Sequence, residues 1–120
     1  MDLSHITAVL DEEFDIKGIK EDWHWLFDSL FVTKSSSSFR KPGQNTGLMI
    51  ANSSEVNKLY TAFAPSRYVI EEIRMRGVVN TLLIVKNPFD WDGRRNGKGF
   101  LHFTERDYQL MESMGISIYS

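Results

Sequence analysis

The sequence predicts an α/β fold, a layered sandwich in which helices flank a central mixed β-sheet. Residues 81–85 form an almost wholly apolar run without alternation, which is typical of a parallel strand buried on both faces. A helical pattern that ends at Gly77 precedes this run, and a further strand pattern precedes the helix, so the order indicates a βαβ crossover. The strands expected in the sheet lie near Gly47, Lys58, Thr81 and Ile116.

Length and composition predict one domain over residues 1–120. The chain has 120 residues, 42% of them hydrophobic, which is enough for one core. Its net charge of −2 comes from interspersed acidic and basic residues, so no overall field attracts nucleic acid or a membrane. The absence of cysteine excludes disulfides, zinc–thiolate sites and a thiol nucleophile. With no apolar run of about 20 residues and no leader pattern, we expect a cytoplasmic protein without membrane association.

The first 14 residues predict an amphipathic helix over 3–14. Asp2 or Ser4 is placed to cap it, and His5 falls on the face opposite the apolar stripe, where we expect it to be solvated. The apolar residues of the stripe are Leu3, Ile6, Leu10 and Phe14. An aromatic-rich second helix is expected over 21–31, followed by a polar, serine-rich mobile loop over about 33–46.

The central part of the chain predicts two strands, a helix and a third strand. Residues 47–52 and 58–64 read as strands, and the turn-forming residues between them favour a hairpin. Ser66 begins or caps a helix over 66–77, in which Val69, Ile70 and Ile73 make a narrow apolar stripe. The buried strand over 81–85 follows.

The last part predicts a turn-rich excursion, a helix and a final strand. Three glycines mark residues 89–99 as turns, and Thr104 with Asp107 has capping-box spacing at the start of a helix over 104–114. Gly115 ends that helix, and residues 116–120 alternate like a strand.

Lys86 and Asn87 follow the buried strand at its carboxyl end, where ligands bind in open α/β sheets. Neither side chain is a good metal ligand or general base. A reduced site would have to use Asn87, Asp90 and His102. His102 is also interpreted as a hydrogen-bonded loop residue, and the aspartate as part of an ordinary turn.

Aromatic and basic residues interleave in the 89–100 loop. Trp91 could stack on a base while Arg94 and Arg95 pair with phosphates, which makes a nucleotide or single-stranded nucleic acid a candidate ligand. The alternative is that Trp91 or Phe100 fills the core beneath the loop while the arginines stay solvated.

Several short motifs resemble the amino-terminal part of the Nif-three-like dinuclear metal centre family, some of whose members are described as GTP cyclohydrolase type 2 homologues. The motifs are Glu21-Asp22-Trp23, Asn45-Thr46-Gly47-Leu48, a strand ending in Pro88, and Gly115-Ile116-Ser117-Ile118-Tyr119. The resemblance covers nearly all of this chain but about the first half of a typical family member. An insert over 25–44 separates the first two motifs and has no counterpart in the family.

The resemblance implies a homo-oligomer, since family members form toroidal hexamers, and a pair of divalent metal ions held by two histidines before the proline. Lys86 and Asn87 occupy those two positions here. A lysine cation repels a metal ion, and a carboxamide is a weak ligand beside imidazole. A further ligand of the family follows the position of Ser120, where this sequence ends. We therefore expect no family-type metal centre, no metal ligand and no catalytic residue.

The functional expectation is a truncated or degenerate Nif-three-like domain that serves as a structural, oligomerisation or interaction module, associating with itself or with a protein partner. Two alternatives stay open. One is a divalent-metal-dependent hydrolase that acts on a nucleotide, as the cyclohydrolase homologues imply. The other is nucleotide or single-stranded nucleic-acid binding through the 89–100 loop.

Overall fold

The structure, a computed structural model, describes residues 1–18, 46–86 and 105–120. These ranges form an α/β fold with three α-helices and one mixed four-stranded sheet, so the predicted fold class is confirmed. In chain order the elements are α1 (Leu3–Glu13), a 3₁₀ turn (Ile16–Gly18), β1 (Leu48–Ile50), β2 (Lys58–Ala62), α2 (Arg67–Met75), β3 (Thr81–Val85), α3 (Glu105–Met114) and β4 (Ser117–Tyr119).

The strand order of the sheet is β1-β4-β3-β2. The strands β2, β3 and β4 run parallel, with Leu59 beside Leu82 and Leu83 beside Ile118. Strand β1 runs antiparallel to β4. Helices α2 and α3 supply the crossovers between the parallel strands, as the βαβ pattern predicted.

The predicted hairpin between β1 and β2 is wrong, because these strands lie at opposite ends of the sheet. The turn residues between them bond instead to the start of the chain: the Leu3 amide donates to the Ser54 carbonyl (2.7 Å) and the Val56 amide to the Met1 carbonyl (2.6 Å). Burial explains why β1 pairs with β4 and not with β2. Met49 of β1 is fully buried beside β4, whereas Leu59 of β2 is 48% exposed at the sheet edge.

Helix α1 begins at the predicted residue, and of the two candidate caps the structure uses Asp2, whose Oδ1 accepts a hydrogen bond from the Ser4 amide (2.9 Å). The Ser4 hydroxyl also donates to this oxygen, and its hydrogen bond is the main cause that lowers the pKa of Asp2. His5 is exposed, as predicted. The helix ends at Glu13, and the side chain of Phe14 is largely exposed.

Helix α2 matches its predicted signals closely. The hydroxyl of Ser66 accepts a hydrogen bond from the Val69 amide (3.3 Å), which satisfies a donor of the first turn. Ile70 and Ile73 are buried, and the chain leaves the helix through Gly77 at φ +69°. The positive φ accounts for glycine at this position.

The sheet separates two apolar cores, and β3 contributes to both. Leu82 faces α1, whereas Leu83 and Val85 face α2 and α3, so the strand is buried on both faces as predicted. On the α1 side the buried residues are Leu3, Ile6, Val56, Leu82 and Tyr119. On the other side they are Met49, Ile50, Ile70, Ile73, Leu83, Val85, Tyr108, Met111, Ile116 and Ile118.

Several predictions fall on residues outside the described ranges. These are the helix over 21–31, the insert over 25–44, the loop as far as residue 45, the turns over 89–99 and the Thr104 cap. In the ranges that are described, no helix combines the length and the apolar character that crossing a bilayer would need.

Candidate functional site

The carboxyl ends of the three parallel strands meet at one edge of the sheet, and Lys86 lies there directly after β3. Its backbone amide donates to the Ala62 carbonyl (3.4 Å), which extends the β2–β3 pairing by one residue. Its side chain is exposed, and Nζ lies 5.8 Å from the centre of the Phe63 ring, within cation–π range. The positively charged side chain of Lys86 therefore lies at the carboxyl ends of the parallel strands, where the sequence predicts a site.

The other predicted site residues lie outside the described ranges, so their roles stay predictions. They are Asn87, Asp90 and His102 of the candidate pocket and Trp91, Arg94 and Arg95 of the candidate nucleotide site. Over residues 1–18, 46–86 and 105–120, no group of three or more histidine, aspartate or glutamate side chains is arranged to hold a metal ion.

An ion pair joins the beginnings of α2 and α3. Arg67 donates to both carboxylate oxygens of Asp107, from Nε to Oδ1 at 3.1 Å and from a terminal nitrogen to Oδ2 at 3.4 Å. The Asp107 side chain is only 4% exposed, and the guanidinium contacts both of its carboxylate oxygens. Sequence reasoning noticed Asp107 only as a capping residue, because nothing local connects it to an arginine 40 positions earlier.

A cleft of about 920 Å³ lies between α1 and the segment that follows β1. At its side, the Tyr119 hydroxyl donates to Asp11 Oδ1 (2.7 Å). Burial raises the pKa of Tyr119 above its ordinary value, and the hydrogen bond to the Asp11 carboxylate acts in the same direction. This contact fastens α1 to the last strand.

Asn52 lines the same cleft and is also used by the fold. Its backbone amide donates to the Ser117 hydroxyl (3.0 Å), and its Nδ2 donates to the Ile116 carbonyl (2.7 Å). Within the described part of the chain its Oδ1 is buried without a hydrogen-bond partner. The Asn52 and Asp11 contacts thus hold the segment after β1, strand β4 and helix α1 together.

The open side of β2 is the most distinctive surface of the described chain. Strand β2 pairs with β3 along one side, and on its other side it is the last of the four strands that the structure describes. Leu59 and Phe63 are 48% and 55% exposed, and Thr61 between them is also exposed. We call β2 with Leu59, Thr61 and Phe63 the β2 edge surface. An apolar strand edge of this kind is a template for pairing with another chain.

Helix α2 flanks the β2 edge surface on the opposite face of the sheet. A cleft of about 190 Å³ runs between β2 and α2, lined on the helix side by Tyr68, Glu72 and Arg76. Arg76 Nε lies 3.3 Å from Glu72 Oε1, and this hydrogen bond raises the pKa of the guanidinium. The guanidinium also lies 5.8 Å from the centre of the Tyr60 ring.

This surface was not predicted from the sequence, because the exposure of an apolar strand residue depends on where its strand lies in the sheet. Comparisons with family models, curated proteins and solved structures found no match.

Proposed function

We propose that this chain is a self-association module of the Nif-three-like type that works without a dinuclear metal centre. The β2 edge surface carries the proposal. It combines a strand edge that none of the other described strands covers with the half-exposed side chains of Leu59 and Phe63, and such surfaces favour contact with another chain.

Lys86 supports the second part of the proposal, namely that the chain works without a dinuclear metal centre. Lys86 stands at the position that corresponds to the first histidine ligand of the resembled family, and its charge opposes that of a metal ion. The Lys86 side chain also contacts the Phe63 ring, which belongs to the β2 edge surface. Self-association without a metal centre therefore accounts both for the exposed Phe63 side chain and for the lysine that contacts its ring.

Sedimentation velocity over about a hundredfold range of protein concentration tests the proposal, because mass action makes association concentration-dependent. Metal analysis of the same protein, purified in the presence of Zn²⁺, is the companion measurement. We expect oligomers that grow with concentration and much less than one ion per chain. A monomer at every concentration overturns the proposal.

The two alternatives predict different results in these preparations. Two tightly held ions per chain, lost on replacement of His102 or Asp90, would establish a metal-dependent hydrolase instead. Salt-sensitive quenching of tryptophan fluorescence by a nucleotide, abolished by the Arg94→Ala, Arg95→Ala double variant, would establish nucleotide binding through the 89–100 loop.

A further inference from the structure

We draw no further inference here: the strongest candidate, the cleft of about 920 Å³ between α1 and the segment that follows β1, carries none, because the Asn52 and Asp11 side chains at its wall hold elements of the fold together and nothing in the described part of the chain shows what occupies it.

Discussion

The Tyr119 hydroxyl offers a sharp test of how α1 is held to the sheet. Tyr119→Phe removes one oxygen from a side chain that is 1% exposed and leaves its apolar packing against Leu82 in place. What is lost is the 2.7 Å hydrogen bond to Asp11. A hydrogen bond to a charged group contributes about 1.5–3 kcal/mol, and the half-buried Asp11 carboxylate can recover some water. We expect a loss near the lower end, about 1.5 kcal/mol at pH 7.

The pH dependence of this loss follows from the raised pKa of Tyr119. In the unfolded chain a tyrosine ionises near pH 10, whereas the folded chain keeps this proton to higher pH. The stabilisation is therefore complete below about pH 10 and falls as the pH rises, by up to about 1.4 kcal/mol per pH unit. Phenylalanine has no proton to lose, so the difference in unfolding free energy between the two proteins should shrink above pH 10.

Urea unfolding followed by far-UV circular dichroism, repeated from pH 7 to about pH 11, measures this difference. Tyr68→Phe is the control, since that side chain is 66% exposed and its replacement should change stability by less than about 0.5 kcal/mol. A difference in unfolding free energy between the unsubstituted chain and Tyr119→Phe that stays constant over the whole pH range would show that folding does not raise the pKa of Tyr119.

Two further predictions use matched pairs of residues within the chain. Gly77 and Gly115 have nearly the same positive φ (+69° and +67°), but only at Gly115 would an added Cβ meet neighbouring atoms. Gly77→Ala should cost about 1 kcal/mol, and Gly115→Ala about 1 kcal/mol more; equal losses in urea unfolding would contradict this. Arg67→Ala removes an ion pair with a buried carboxylate on α3 and should cost about 2 kcal/mol, whereas Arg74→Ala breaks an exposed pair and should cost under about 0.5 kcal/mol. Similar losses for the two arginine variants in thermal melts would show that burial of the carboxylate does not matter.

Local signals predicted the helices well because they act within a few residues. Asp2 and Ser66 cap the helices that follow them, and Gly77 and Gly115 end helices through positive φ, as expected from residue type alone. The predicted span of β3 matches the observed one, because an unbroken apolar run needs no knowledge of its neighbours to be recognised.

Of the candidate site, the sequence predicted the position of Lys86 but not the contacts between distant residues. Lys86 lies at the carboxyl end of β3, because the end of a strand can be read from its own residues. The Arg67–Asp107 and Tyr119–Asp11 contacts join residues 40 and 108 positions apart. No local pattern encodes such pairs.

By itself, the sequence determined the kinds of element, their approximate bounds and the α/β class, since spacing, capping and glycine conformation are short-range effects. Long-range packing sets the pairing of β1 with β4 and puts β2 at one end of the sheet that the described strands form. The physical reason is that strand pairing depends on which distant surfaces bury each other. That choice makes Met49 fully buried and leaves Leu59 and Phe63 exposed, although all three are apolar residues in strand-like segments.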